Sequence, residues 1–511
     1  MLQAAERRRI LDALEAMDES CPQSIESVGK LLEELTFSDI LSLNIYPEVG
    51  SRDLYTESKY RNKRMKGRFG VLIEERFFGY PANNDSRPDF PDAGVELKTT
   101  PLKRLKKGDK VSAGERLVIH MIPYNESIAL PFEASGIWEK VEKTLLVYYE
   151  RSNEIDDMRQ MVRAVWLFTP SEEDLAIIKQ DYEIITSYVR AGRADLLSEK
   201  LTQYLGPCTK GATAEKSTVT QFYKSGGRRL KAKTRAFSLK QSYMTAVLRQ
   251  HVEGKGAFDP ILISQGELNE HGLDELIARR FDRYLCMTDR EICEELGLSH
   301  RRSKNYWKAI TSAILGADED NVEQFSKSNT LVRTLSFEND GRLVEDLPLF
   351  NFDFAELMNE ENWESSRLRE YLLTTRFMLV IYQKCESGKE QNNSERVFKG
   401  VLFWSPPDDV AEVKGRAVWE AARKTIGDGV KVSLRSWGDD IRVDHNLPKA
   451  SEYDFVFVRN KATKKYVRVP GYEKGDNDKY GSELPDGRWL TKPAFWLSSK
   501  YLASDIELPK A

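Results

Sequence analysis

Cysteine and histidine are both scarce in this chain, with 5 of each among 511 residues. No two cysteines form a C-x-x-C pair, and the histidines show no metal-ligand spacing. These absences argue against a disulfide framework and against a zinc site.

Long apolar runs and a strong net charge are also missing. No uninterrupted apolar stretch reaches the length of about 18 residues that a membrane-spanning helix needs. The 77 basic and 81 acidic residues give a net charge of -4, so any affinity for DNA would come from local basic patches. An apolar fraction of 40% suffices for ordinary globular cores, of which a chain of this length forms about two to four. We therefore expect a cytoplasmic protein with no membrane partner.

Two acidic residues and a lysine stand in the order that metal-dependent DNA hydrolysis needs: Asp89, Glu96 and Lys98. If residues 94–100 form a strand, its period of two puts Glu96 and Lys98 on one face. Hard oxygen ligands hold Mg²⁺, which supports attack by water and neutralises charge at the phosphoryl group. The pattern predicts Asp89 and Glu96 as Mg²⁺ ligands. Lys98 would orient or deprotonate the water, or stabilise charge in the transition state.

The pattern alone is weak, because it arises by chance in about one chain in four of this length and composition. The alternative without a function is that these residues lie on an exposed strand edge. The neighbouring sequence favours the functional interpretation. The segment from Lys66 to Glu74 has apolar residues at helical spacing, and basic runs occupy positions 59–68, 98–110 and 224–235. Together these features predict a nuclease acting on double-stranded DNA.

A resemblance to a known family lies in two motifs, Lys66-Gly-x-x-Gly-x-x-x-Glu74 and Asp89-Phe-Pro-x-x-Gly-Val-Glu96-Leu-Lys98-Thr-x-Pro101. Both are similar to the MutH branch of the PD-(D/E)xK nucleases. The resemblance implies an α/β (α+β) fold with a mixed central sheet flanked by helices. It also implies a catalytic set comprising Glu74, Asp89, Glu96 and Lys98.

The resemblance continues towards the end of the first half. Tyr204-Leu-Gly-Pro-Cys-Thr-Lys210 and the segment 235–248 look like the family's DNA-reading loop and its closing strand and helix. The family's mismatch-repair nickase has less than half this length, whereas its two-domain type II restriction endonucleases of the Sau type, which cut at GATC, are about this long. The resemblance implies that Lys210 and its loop enter the major groove. We also expect Lys66 and Arg116 to contact phosphates.

One position departs from the family. The nickase has a further active-site lysine, and the matching position here reads Ala113. Either Lys110 replaces that lysine or its role is lost.

The second half of the chain repeats the plan of the first. Strand-like segments at 145–149 and 164–170 are echoed at 378–382 and 400–406, and Ala236 to Tyr243 is echoed by Ala494 to Tyr501. The acids and the lysine are lost in the repeat: Gln324, Leu331 and Arg333 stand for Asp89, Glu96 and Lys98, and Ser312 stands for Glu74. We expect this copy to keep the fold and to be catalytically silent, because it cannot assemble the metal site.

The sequence therefore predicts a tandem pair of restriction-endonuclease-like (MutH-like) domains. A catalytic domain spans 1–252, a linker 253–272 and a degenerate, DNA-binding or regulatory domain 273–511. In the second domain, Arg459 is predicted to read guanine and Lys461 to contact DNA; a phosphate contact or plain solvation is the alternative. A helix-turn-helix over 288–310 is a competing interpretation, but a scaffold role is simpler because the segment precedes the decayed site as N-terminal helices precede an active one.

The predicted function is that of a type II restriction endonuclease that uses Mg²⁺ to cut both strands of a short palindrome, GATC. Each chain has one competent site, so two chains must meet on DNA or one must nick twice; the C-terminal domain could bind a second site or imitate a subunit. Two alternatives remain: a strand-nicking repair endonuclease, and a non-catalytic DNA-binding methylation sensor.

Overall fold

The computed structural model describes most of the chain. The described residues are 2–43, 56–62, 67–81, 87–105, 110–124, 126–152, 154–210, 218–221, 231–254, 258–261, 263–300, 303–384, 395–437, 440–475 and 478–507.

The chain divides into two compact units. Unit 1 contains Met1–Leu273 and Asn321–Asn329, and unit 2 contains Asp274–Asp320 and Thr330–Ala511. The predicted linker 253–272 therefore clusters with unit 1, where it includes a helix at Gln265–Glu270. A nine-residue segment that the sequence placed in the second domain also belongs to unit 1.

The helices of unit 1 are α1 (Ala4–Glu15), α2 (Pro22–Gly29), α3 (Phe37–Leu43), α4 (Thr56–Arg61), α5 (Arg68–Ile73), α6 (Trp138–Val141), α7 (Glu172–Arg190), α8 (Gln241–Glu253), α9 (Gln265–Glu270) and, from the later segment, α13 (Glu323–Ser328). Its strands are β1 (Glu96–Arg104), β2 (Val111–Ala113), β3 (Leu117–Met121), β4 (Thr144–Glu150), β5 (Val162–Phe168), β6 (Leu205–Thr209), β7 (Thr218–Thr220), β8 (Lys231–Lys233) and β9 (Arg235–Leu239). A π-helical turn spans Glu74–Phe78.

The helices of unit 2 are α10 (Leu273–Asp282), whose first residue clusters with unit 1, α11 (Asp289–Glu295), α12 (Tyr306–Leu315), α14 (Phe354–Asn359), α15 (Arg367–Thr374), α16 (Asp408–Val410), α17 (Arg416–Gly427) and α18 (Ser499–Asp505). Its strands are β10 (Thr330–Phe337), β11 (Leu347–Asn351), β12 (Arg376–Lys384), β13 (Arg396–Trp404), β14 (Val432–Trp437), β15 (Asp440–His445), β16 (Val456–Asn460), β17 (Val467–Val469), β18 (Tyr472–Lys474), β19 (Gly481–Glu483), β20 (Trp489–Thr491) and β21 (Pro493–Leu497).

Polar caps explain where several helices begin. The Ser171 side chain accepts a hydrogen bond from the backbone N–H of Asp174 at the start of α7. Ser264 and Thr288 each form a reciprocal capping box with a glutamate three residues later. Such caps satisfy backbone N–H groups that a helix leaves open at its first turn.

The main sheet of unit 1 has the order β2-β1-β4-β5, with β1 and β4 parallel and the other pairs antiparallel. Six consecutive residues of β4 are buried, as expected for a strand covered on both faces. Helices α1, α2, α3 and α5 supply apolar residues to the core against this sheet. The predicted mixed sheet flanked by helices is confirmed, and β3, β9 and β6 form a second, antiparallel sheet.

Unit 2 repeats this sheet in the same register. Its order β10-β12-β13 again joins a parallel pair to an antiparallel pair. Leu97 pairs with Leu145 in unit 1 as Val332 pairs with Met378 in unit 2, which is the correspondence that the sequence repeat requires. A register irregularity also recurs, at Tyr148/Tyr149 and at Ile381/Tyr382. The strands of the two sheets therefore correspond residue by residue.

The second sheet of each unit also matches. In unit 1, β9 pairs with β3 and β6, and in unit 2, β21 pairs with β11 and β16. Leu239 on β9 corresponds to Leu497 on β21. Leu239 pairs with Leu117 and Leu205, and Leu497 pairs with Leu347 and Val456 in the same way. By this register, Lys210 and Lys461 occupy equivalent positions one residue beyond β6 and β16.

The proposed helix-turn-helix segment is explained as scaffold. Thr36 forms a bridge with Met161 in unit 1, and Thr288 forms the matching bridge with Val397 in unit 2. Each threonine directly precedes its helix, α3 or α11. Helix α11 is thus the counterpart of an N-terminal helix of unit 1.

Helix α13 departs from the repeat. It holds Gln324, the counterpart of Asp89, but Gln324 exchanges two hydrogen bonds of 3.0 Å with the backbone of Ile261 in unit 1. Lys327 is buried there, with its ammonium 2.7 Å from both Asp174 oxygens and 2.7 Å from Glu323. The expected place of Gln324 in a decayed site of the second domain is therefore wrong, because polar partners fix α13 in unit 1.

No helix of the described chain is long and apolar enough to cross a membrane.

Candidate active site

Glu96 and Lys98 lie on the same face of β1, as the sequence predicted. The Glu96 side chain is 2% exposed and forms an ion pair with the Lys98 ammonium. Val95 and Leu97 alternate with them and are buried in the core. A buried carboxylate needs such charged partners, because burial without them is costly.

Asp89 is brought to this strand by a tight turn. Phe90 and Val95 form an isolated bridge, and Gly94 between them has φ 64°, a conformation that glycine adopts without steric cost. Asp89 Oδ2 accepts a hydrogen bond of 2.9 Å from the backbone N–H of Leu97. The turn thus fixes one carboxylate next to the strand that carries the other.

Lys140 completes the cluster, and the sequence analysis missed it. Its ammonium lies 3.1 Å from Glu96 Oε1 and 3.3 Å from Oε2, and its side chain is 12% exposed. Lys140 lies on α6, four residues before Thr144, and Thr144 pairs with Glu96 across the parallel strands. A lysine one helical turn before the start of β4 reaches the start of β1 because the two strands are parallel neighbours, so the sequence alone carried no signal for it.

Lys110 is not the second lysine of this site. The carbonyl of Lys110 accepts a hydrogen bond from the backbone N–H of Leu105, beyond the far end of β1. At about 3.3 Å per residue, that point lies roughly 30 Å along the strand from Glu96. The second ammonium beside Glu96 belongs to Lys140.

Glu74 reaches the site from the end of α5. The apolar residues that predicted this helix, Phe69, Leu72 and Ile73, are buried. At Glu74 the helix widens into the π-turn Glu74–Phe78, a form that is rare and frequent at functional sites. Four residues separate Glu74 from the left-handed Gly79, whereas three separate Ser312 from the left-handed Gly316 in unit 2. The extra residue is therefore specific to the unit that retains the acid.

The carboxylates of the site repel one another. Burial, and next the charge of Asp89, raise the pKa of Glu74 to about 7. Burial, and next the charge of Glu96, raise the pKa of Asp89, against the lowering effects of the Leu97 N–H, Lys98 and Lys140. Negative charge is thus concentrated beyond what the two lysines neutralise.

A divalent cation fits this chemistry. Two neighbouring acids, Asp89 and Glu96, offer the hard oxygen ligands that Mg²⁺ prefers, and its charge would relieve their repulsion. Among the described residues, no three His, Cys, Asp or Glu side chains are arranged to hold a metal ion. Mg²⁺ in phosphoryl-transfer sites uses one or two carboxylates together with substrate phosphate and water, so two suffice.

The predicted DNA contacts of unit 1 lie apart from these acids in sequence. Arg116, which directly precedes β3, forms an ion pair with Glu199. The backbone N–H of Lys210 donates a hydrogen bond of 2.9 Å to Thr234 O, and its side chain is partly exposed. Lys66 lies outside the described residues.

Unit 2 holds the other two predicted DNA contacts at the end of β16. Arg459 is exposed, lies over the ring of Trp496, and has Asp346 at 3.5 Å. The backbone N–H of Lys461 donates to Lys492 O at 2.9 Å, as that of Lys210 does to Thr234 O in unit 1.

Two acids and a lysine on adjoining turn and strand of a mixed sheet define the class of restriction-endonuclease-like nucleases. A family model described as the DNA mismatch repair enzyme MutH matches residues 78–181. The type II restriction enzyme Sau3AI of Staphylococcus aureus is 33% identical over 476 residues, which cover 87% of this chain and 93% of that protein.

The chain therefore belongs to the MutH-related family of type II restriction endonucleases that includes Sau3AI, and it is a site-specific deoxyribonuclease. The predictions of family and enzyme class are confirmed. The DNA mismatch repair protein MutH of Shewanella woodyi is 27% identical over 227 residues, 44% of this chain and 93% of that protein. That of Vibrio campbellii is 28% identical over 189 residues, 37% of this chain and 80% of that protein.

Proposed function

We propose that this enzyme cleaves both strands of duplex DNA at GATC with Mg²⁺, through the acid and lysine cluster of unit 1. The observation that carries the proposal is the contact of two ammonium groups with Glu96 beside Asp89. The segment from Tyr204 to Lys210 resembles the family's DNA-reading loop, and this resemblance supports GATC as the recognition sequence. A DNA substrate supports a cytoplasmic location for this activity.

Asp89 and Glu96 would hold Mg²⁺, which supplies charge neutralisation at the scissile phosphate and lowers the pKa of water. Lys98, on the same strand face as Glu96, would orient the attacking water. Lys140 would stabilise the charge that develops on the phosphoryl oxygens, because its ammonium is fixed by Glu96 and partly excluded from solvent.

Glu74 would support the site from the end of α5, where it adds a carboxyl group beside Asp89. Mg²⁺ held by Asp89 and Glu96 would lower the pKa of Glu74 and favour its charged form. Arg116, Lys66 and Lys210 would position the duplex, the first two through phosphates and Lys210 in the major groove. Catalysis would thus take place at the start of β1, and sequence recognition would take place at the end of β6.

Unit 2 would be catalytically silent and would grip DNA. Its β10 carries Leu331 and Arg333 at the positions of Glu96 and Lys98, so acidic metal ligands are lost. Arg459 and Lys461 would contact the DNA from the end of β16. One competent site per chain then requires two chains on one palindrome, or two successive nicks.

Plasmid digestion tests the proposal. Supercoiled plasmid, methylated or unmethylated at GATC, is incubated with Mg²⁺ and the wild-type enzyme, and the ends are sequenced. We expect linear products that end at GATC, none in EDTA, and none with Glu96→Gln. Glu139→Gln is the matched control, because Glu139 is exposed and is adjacent to Lys140 in sequence.

Other outcomes would separate the alternatives. Nicked circles that never become linear would indicate a strand-nicking repair enzyme. Binding without any cleavage would indicate a methylation sensor. Wild-type cleavage by Glu96→Gln would refute the proposed site.

A further inference from the structure

The decayed site of unit 2 has changed the sign of its charge. In unit 1, three acids and two lysines meet, so negative charge is in excess. The equal register of β1 and β10 gives Glu96, Lys98 and Lys140 the counterparts Leu331, Arg333 and Leu373. Ser312 takes the sequence position of Glu74, and Gln324, the sequence counterpart of Asp89, lies on α13 in unit 1, so none of these positions supplies an acid to unit 2. Only the arginine carries a charge, and it is positive.

A second cation stands near Arg333. Burial, and next the charge of Arg333, lower the pKa of Lys461, so the two side chains lie within electrostatic reach of each other. Arg333 also lies beside the hydroxyl of Tyr371, whose pKa it lowers against the raising effect of burial. One of its nitrogens donates to the carbonyl of Val332 at 2.7 Å. Within the described ranges neither Arg333 nor Lys461 forms an ion pair, whereas Arg376 on the neighbouring strand pairs with Asp274.

One acid that interacts electrostatically with Arg333 is Glu319, just after α12. Its backbone N–H donates to Ser312 Oγ at 3.1 Å, so it lies beside the position where unit 1 has Glu74. Its Oε2 is buried and has no hydrogen-bond partner in the described part of the chain. Burial, and next the charge of Asp320, raise the pKa of Glu319 to about 7, so its carboxylate is only partly ionised at neutral pH. The two cations therefore lack a full counter-charge.

We propose that this decayed site binds an intact phosphate group of duplex DNA, with Arg333 and Lys461 as its donors and without a metal ion. The inference rests on the proposed grip of unit 2 on DNA and names the place and chemistry of that grip. An arginine in place of the catalytic lysine suits this ligand, because its planar fork matches two phosphate oxygens. Loss of the acids at the positions of Glu74 and Glu96 removes two groups that would repel the phosphate, and Glu319 is an acid that remains beside the site.

Salt dependence of binding tests the inference. The full-length protein in EDTA, which prevents hydrolysis, is titrated with a fluorescent GATC duplex at several salt concentrations. Each phosphate contact contributes roughly 0.9 to the slope of log K against log salt. We expect Arg333→Gln, and likewise Lys461→Gln, to reduce that slope by up to about one, and the double variant by no more than about one, because both side chains hold the same phosphate. Arg342→Gln is the control, since Arg342 is 78% exposed and paired with Asp340 on a surface turn.

Glu319→Gln tests the same site in the opposite direction. Removing its partial negative charge should tighten binding severalfold without lowering the slope, an effect that a merely destabilised fold would not produce. The inference is overturned if Arg333→Gln leaves the slope unchanged, if Arg342→Gln lowers it equally, or if Glu319→Gln fails to tighten binding. Plasmid cleavage by wild type and Glu96→Gln is scored separately, so the proposed function can stand while this inference falls.

Discussion

Glu74→Gln should stabilise the metal-free protein at alkaline pH while impairing its activity. Glu74 has an ordinary pKa of 4.5 and a folded-state pKa of about 7, raised chiefly by burial and by Asp89. At 1.36 kcal/mol per pKa unit, this difference corresponds to roughly 3 kcal/mol. Because part of the side chain faces solvent, we expect about 2 kcal/mol.

The sign follows from proton binding. Between pH 4.5 and about 7 the folded chain keeps a proton on Glu74 that the unfolded chain has lost. The free energy of unfolding therefore falls as pH rises through this window, and the full penalty applies above it. Glutamine has the shape of the protonated acid and cannot ionise. The variant should match wild type near pH 4.5 and exceed it at pH 8.5.

The measurement is a set of urea titrations of the full-length protein from pH 4.5 to 8.5, in EDTA and in Mg²⁺. The difference between Glu74→Gln and wild type should grow with pH in EDTA and shrink when Mg²⁺ neutralises the acids. Glu139→Gln, at an exposed site, should show no such trend. A gap that is absent at pH 8.5, or equal at all pH values, would contradict the electrostatic account of this site.

Three further predictions concern single lysines. Lys140→Met should lower the cleavage rate by about 10² to 10³, as loss of one preorganised donor does, while Lys110→Met should leave it unchanged in the same plasmid assay. Lys327→Met should lower the free energy of unfolding by roughly 3 to 5 kcal/mol in urea, because it leaves Asp174 charged and buried without its cation; a loss below 1 kcal/mol would contradict the ion cluster. Lys210→Ala should cost about 1 to 3 kcal/mol of discrimination between GATC and a one-base variant, measured by competition binding, and an equal loss on both duplexes would reassign Lys210 to a phosphate.

Much of the fold could be predicted from the sequence because the two halves of the chain repeat the same pattern of strands and helices. Corresponding residues in the two halves pair in the same register and even share a register irregularity after Tyr148 and Ile381. The core face of α5 and the shared face of Glu96 and Lys98 followed from helical and strand periods alone. Local periodicity specifies such features without reference to the rest of the chain.

Other features depended on contacts between distant segments. Lys140 reaches Glu96 only because β4 lies parallel to β1, and no spacing within one segment reveals that pairing. The placement of α13 depends on Lys327 finding Asp174, which lies 153 positions earlier. The sequence showed that Gln324 replaces an acid. It did not show that the Gln324 side chain forms two hydrogen bonds with the backbone of Ile261.

Helix α13 also limits where this protein can be truncated. A chain stopped at Leu273 would lack α13, so it would expose the surface of α8 that α13 covers and leave the buried Asp174 carboxylate without the Lys327 ammonium. Unit 1 therefore depends on a segment that the sequence supplies only after unit 2 has begun. A shorter chain that contains unit 1 alone would also need residues 321–329 to fill that space.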